Sequence, residues 1–113
     1  MNWYILKGKI PEKVGWEEYL NWGYNGGNTK VDRTDIGNIL VSTVFLGIDH
    51  SFRSDVPILF ETMIFGGELE GYQERYSTWD EAVKGHKRAC DRVLKEFSLK
   101  TETLRKVVID GLN

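Results

Sequence analysis

Apolar and polar positions follow the clearest pattern between Asn38 and Gly67, where two short apolar segments flank a polar loop. Ile39 to Ile48 and Ile58 to Phe65 are rich in Val, Ile, Phe and Thr; both have strand length and are too short to span a membrane. In the first, Val41, Thr43 and Phe45 face one way, and Leu40, Val44, Leu46 and Ile48 face the other. A strand apolar on both sides is expected in the middle of a sheet, covered on both faces. In the second, Glu61 interrupts the face made by Leu59, Met63 and Phe65, leaving Ile58, Phe60, Thr62 and Ile64 as the drier side. Asp49 to Pro57 has the composition of a hairpin loop.

The flanks extend this centre. Trp3 to Ile10 reads as a first strand, weakened at Gly8 and ended by Pro11. Trp16 to Trp22 predicts two turns of helix with Trp16, Tyr19 and Leu20 on one face and Glu17 and Glu18 near the positive end of the dipole. Gly23 to Asn28 is a turn; it lacks the preceding strand and the following lysine that a phosphate-cradling loop uses. Thr29 to Ile36 predicts a strand reaching the Gly37-Asn38 bend, and Tyr72 to Tyr76 predicts another after Gly66-Gly67. A helix begins at Thr78, whose hydroxyl and Glu81 form a capping box. Its apolar stripe runs Trp79, Ala82, Val83, His86, Ala89, Cys90, Val93, Leu94, Phe97, so Val83 and Leu94 are expected against the sheet. In the tail, Leu104, Val107, Val108 and Leu112 predict a second short helix, although Val107-Val108-Ile109 leaves a strand open. The expected fold is α+β: one domain over residues 1–113, with an antiparallel meander of about four to five strands under a C-terminal amphipathic helix, plus a short N-terminal helix and a short terminal helix.

Composition narrows the class without naming a chemistry. The 113 residues are 41% hydrophobic and 28% charged, as in ordinary globular domains, and the formal net charge of -2 argues against a nucleic-acid-coating protein. The N-terminus has no basic region followed by an apolar core, so a cytoplasmic location is expected. Cys90 is the only cysteine, which excludes an internal disulfide and a cysteine-built zinc site within one chain.

Six residues stand out as ligand-binding candidates. Asp49 and His50 close an apolar strand, and Glu61 breaks an apolar face of the next; the three together could bind a ligand or a divalent metal, whereas Asp-His-Ser is equally a set of loop-capping side chains. His86 lies on the apolar face of the helix beside Gly85, which permits close approach to the sheet; it reads as a hydrogen-bonded core histidine or as a ligand. Arg33 and Arg75, with the basic helix face from Lys84 to Lys95, could attract phosphate groups, or that face could simply be solvated. No nucleophile motif and no His-Glu-x-x-His set is present, so no catalytic residue, metal or cofactor is assigned. Trp3, Trp16 and Trp22 crowd the first 22 residues as core, interface or ring-stacking platform.

Four strings carry a resemblance: Val41 to His50 (VSTVFLGIDH), Leu59 to Gly67 (LFETMIFGG), Arg75 to Ala82 (RYSTWDEA) and Gly85-His86. With Trp3 to Leu6 and the Arg33 to Gly37 step, the chain to about Leu94 resembles a family of small uncharacterised proteins encoded by tailed phages and prophages. The resemblance implies a compact α+β fold and a phage origin, hence the cytoplasm of the infected bacterial host. By analogy of size and architecture, the expected role is counter-defence: binding and sequestering a small anionic host signal, such as a cyclic nucleotide or an ADP-ribose-type molecule, as a homodimer or higher oligomer. Two alternatives stand beside it: a protein-binding inhibitor or scaffold without a small-molecule site, and a metal-dependent hydrolase or nuclease using Asp49, His50 and Glu61.

Overall fold

The computed structural model describes residues 1–52 and 55–111. Strands β1 (Trp3–Lys7) and β2 (Ile10–Val14) form a hairpin, followed by helix α1 (Trp16–Tyr24). Then come β3 (Lys30–Ile36), β4 (Ile39–Phe45), β5 (Phe60–Phe65) and β6 (Gln73–Tyr76), and helix α2 (Trp79–Gly111). The meander β3-β4-β5-β6 is antiparallel throughout, with β4 and β5 inside; a two-residue turn joins β3 to β4, whereas the β4–β5 connection is long, residues 46–59.

Two sheets replace the single expected one, because the Trp3 to Ile10 segment folds back on itself. Gly8 adopts φ 64°, a conformation that favours glycine, and the chain reverses so that Lys7 pairs with Ile10 and Leu6 with Pro11. Pro11 therefore sits within an edge strand, where its missing N–H costs no interior ladder bond, and does not end one. The hairpin docks on the end of the larger sheet: Trp3 bridges Ile48, and the Tyr4 N–H donates to the Gly47 carbonyl at 2.8 Å.

In β4 the odd positions Ile39, Val41, Thr43 and Phe45 are buried beneath α2, whereas Leu40, Ser42 and Val44 are only half-buried. The strand is central, as its composition predicts, but helix packing is confined to one face. The register places Arg33 beside Ser42, Ser42 beside Met63 and Met63 beside Gln73, so these residues share the other side of the sheet. Leu40 and Phe65, and Val44, Glu61 and Arg75, lie on that same side.

Helix α2 opens with the expected capping box: the Glu81 N–H donates to Thr78 Oγ1 at 3.1 Å and the Thr78 hydroxyl donates to Glu81 Oε1 at 3.0 Å. Its buried stripe is Ala82, Gly85, His86, Ala89 and Val93. Val83 and Leu94 are 44% and 52% exposed, so they lie on the flank of the stripe and not against the sheet. The expected break before the tail is absent. Ser98, Leu99 and Lys100 contain no Gly or Pro, and the Thr101 and Thr103 hydroxyls donate to the Phe97 and Leu99 carbonyls within a continuous helix. Leu112 lies outside the described residues. At 33 residues α2 is about 50 Å long, which accounts for most of the 69 Å long axis of the molecule.

In α1, Tyr19 and Trp22 make the contacts, while Trp16 and Leu20 are more than half exposed. Tyr19 packs on Trp3 with ring centroids 4.9 Å apart, and Trp22 sets its edge against Phe45 at 6.0 Å.

Candidate functional site

The helix–sheet interface has a polar middle. One apolar cluster joins Ile39, Val41, Ile64, Ala89 and Val93, and a second joins Phe45, Leu59, Phe60, Tyr76 and Ala82. Between them Thr43 and Thr62, cross-strand partners on β4 and β5, meet hydroxyl to hydroxyl at 2.5 Å. His86 descends from α2 onto the pair, with Nδ1 2.7 Å from Thr43 Oγ1 and Nε2 2.8 Å from Thr34 Oγ1. Asp32 Oδ2 lies 3.6 Å from Nε2. A neutral ring protonated on Nε2 satisfies the set: it donates to Thr34, and Nδ1 accepts from the Thr43 hydroxyl. Burial pushes the His86 pKa down and Asp32 opposes that shift only in part, so the ring is held neutral. This is a buried, hydrogen-bonded histidine at the helix–sheet interface.

Tyr76 finishes the band. Its hydroxyl is buried and makes no hydrogen bond among the described residues, and a Cβ built on Gly85 would fall 2.0 Å from it. Gly85 is the residue that lets helix and sheet approach this closely.

The strand-end candidates do not form one cluster. Asp49 Oδ1 accepts from the N–H groups of Ser51 at 2.8 Å and Ile58 at 2.9 Å, closing the loop that joins β4 to β5. Burial, the largest single influence, disfavours its charge, but the two backbone donors, the Ser51 side chain and His50 together hold the carboxyl below its ordinary value. His50 is exposed, and its backbone N–H donates to Ile58. Glu61 lies further along the ladder, opposite Val44, about three residues or 10 Å from the Ile58 level. Its carboxylate accepts from Arg75 Nε at 2.9 Å and from the Gln73 amide at 2.5 Å. Of the expected neighbours, the structure joins only Glu61 and Arg75.

Arg33 lies on the same open side but two strands away from Glu61, paired with Asp35 at 3.3 Å. Across β4 and β5 the lateral spacing from Arg33 to the β6 backbone is about 14 Å. Much of the basic face of α2 is also engaged. Arg88 pairs with Glu74 at 2.5 Å, Arg92 lies over the Tyr72 ring at 5.3 Å, and Lys87 meets Asp91 at 2.9 Å. Tyr72 donates to Glu74 at 2.6 Å; burial and this bond push its pKa up to about 12, and the same bond holds Glu74 down.

The hydroxyls that stand beside a base, Thr34 and Thr43 at His86, lie within the helix–sheet interface, and among the described residues no three His, Cys, Asp or Glu side chains stand close enough to hold a metal ion. A surface hollow at the glycine-rich turn is lined by Glu18, Asn21, Trp22 and Asn25 to Asn28, with a carboxylate and no cation, which does not suit phosphate. Among the described residues, one feature that α2 leaves uncovered is the far face of the sheet: the half-buried Leu40, Ser42, Val44 and Met63 and the 42% exposed Phe65, flanked by Arg33, Gln73 and Arg75. Sequence reasoning missed Thr34, Thr43 and Thr62 as partners of His86. The signal was there, since Thr43 and Thr62 stand among inward positions that are otherwise apolar, Ile39, Val41 and Phe45 on β4 and Phe60 and Ile64 on β5. No family model, curated protein or solved structure matches the chain.

Proposed function

We propose that this chain is a non-enzymatic binding protein whose working surface is the open face of the four-stranded sheet, and that its partner is another protein. The observation that carries this reading is compositional and geometric at once. The sheet buries one side under α2 and leaves the other with Met63, Leu40, Val44 and Phe65 between two arginines, and Met, Phe and Arg are residue types enriched at protein interfaces. Both arginines are already paired with carboxylates, so a partner whose acidic groups compete for them at the rim of an apolar contact fits best. In the setting that the sequence resemblance suggests, the partner is a host protein and the role is that of a phage accessory inhibitor in the bacterial cytoplasm.

A second reading draws on Arg33 and Arg75 sharing that face: an extended dianionic ligand of the nucleotide class lying across β4 and β5. Exposed ion pairs such as Arg33–Asp35 are weak enough to be exchanged for phosphate. The two readings separate in one experiment. Met63→Asp should abolish retention of the protein partner while leaving the fold intact, and a panel of cyclic nucleotides and ADP-ribose should not raise the melting temperature. A nucleotide that raises it, with the effect lost in Arg33→Ala and Arg75→Ala, would replace the first reading by the second.

A further inference from the structure

Beside its packing residue Trp22, helix α1 carries a polar stripe. Glu18, Asn21 and the C-capping Asn25 stand at i, i+3 and i+7 and share one side of the helix with that indole. The stripe is one wall of the hollow at the glycine-rich turn; residues 26–28 form the other, and the buried Ile5 of β1 adds an apolar patch. At about 460 Å³ the hollow has the size of a small-molecule site. Local bonds hold its amides in fixed orientations and leave half of each unspent. Asn25 Nδ2 donates to the carbonyl and to Oδ1 of Asn21, each at 2.8 Å. That leaves Asn21 Nδ2 to donate and Asn25 Oδ1 to accept. Asn28 Oδ1 accepts the Lys30 N–H at 3.0 Å, which leaves its Nδ2 to donate. The Glu18 carboxylate has no hydrogen bond or ion pair among the described residues, and Lys7, the cation whose charge it stabilises, is paired with Glu12 at 2.9 Å. Gly27 completes the shape: a Cβ there would collide with the Trp22 ring, so its backbone lies directly against the indole.

We propose that this hollow binds an uncharged saccharide, with one pyranose ring against Trp22 and Ile5 and its hydroxyls bonded to Asn21, Asn25, Asn28 and Glu18. A hydroxyl both donates and accepts, so neighbouring hydroxyls match amide donors interleaved with amide and carboxylate acceptors. A pyranose also presents C–H groups on its faces, which the indole and Ile5 can cover. An anionic ligand is repelled by Glu18, and no cation lines the hollow to compensate. A wholly apolar ligand would strip water from the amides without replacing its hydrogen bonds. The hollow shares no residue with the open face of the sheet, so this site does not depend on the protein partner proposed for that face.

The probes are the methyl glycosides of glucose, galactose, mannose and N-acetylglucosamine, each titrated into the full chain to roughly 20 mM, above the millimolar Kd of so open a site. In proton–nitrogen correlation spectra at least one glycoside should shift the side-chain amides of Asn21, Asn25 and Asn28 and the Gly27 N–H, and the shifts should saturate. Cyclohexanol, which has the ring but a single hydroxyl, should leave these signals in place. Glu18→Leu and Asn21→Leu, both at exposed positions, should weaken the binding by about tenfold or more with the melting temperature retained, whereas Met63→Asp should bind as wild type does. No saturable shift with any glycoside, equal shifts with cyclohexanol, or binding unchanged in both leucine variants would each overturn the proposal. So would adenosine shifting the same amides where no glycoside does, which would mark a nucleoside site instead.

Discussion

At the scale of single residues the fold rests on two unusual positions in α2. Gly85 is destabilising to a helix in isolation, and alanine there would gain about 1 kcal/mol of helix propensity. The added methyl would however meet the Tyr76 ring and hydroxyl at 2.0–2.4 Å, and overpacking of this kind costs about 1–3 kcal/mol. Gly85→Ala should therefore lower stability in chemical denaturation, and a stabilised variant would show that helix and sheet are further apart than described. His86 makes stability depend on pH with a definite sign. Its folded pKa is lowered from 6.5, so below pH 6.5 the unfolded chain binds a proton that the folded chain resists. Stability contributed by the neutral ring is complete above pH 6.5 and falls as the pH drops toward the depressed folded value. Denaturation midpoints of wild type and His86→Gln, compared from roughly pH 7.5 to 5, should show the steeper loss in wild type. The carboxylates held low, Asp49 and Glu74, lose their contribution only near and below their ordinary values of 3.8 and 4.5, so the two windows are separate.

At the scale of elements, the contrast between Val93 and Leu94 tests the docking of α2. Val93 is 1% exposed and Leu94 is 52% exposed, although they are adjacent. Val93→Ala should cost about 1.5–3 kcal/mol, and Leu94→Ala should stay within about 0.5 kcal/mol of wild type. Equal losses would mean that the helix is rotated on the sheet. The elements were largely legible in the sequence, because strand alternation, the Thr78–Glu81 capping box and the glycine turns are local signals. Three features were not. Pro11 suggests a stop, but an edge strand has no inner neighbour to miss its N–H, so the hairpin is visible only when pairing is known. Val83 and Leu94 satisfy helical spacing as well as Ala82 and Val93 do, and only the sheet decides which side of a broad stripe is covered. Glu61, Asp49 and His50 looked close because the loop between their strands hides the register; pairing of Glu61 with Val44 sets them apart.

At the scale of the molecule, one layer of helix covers one side of one sheet, and what remains uncovered is the other side and the far end of the helix. His86, the chain's most chemically suggestive side chain, is spent inside, where Thr34 and Thr43 bind both ring nitrogens. The acidic candidates are spent on the loop and on Arg75. These side chains set the register of helix on sheet, and the proposed function places recognition on the open face. The most direct test of the proposed function compares what immobilised wild-type protein and Met63→Asp retain from lysate of bacteria, the host that the proposed reading implies. One protein held by wild type and lost with Met63→Asp is the expected result; retention that ignores Met63→Asp would contradict a function carried by the open face of the sheet.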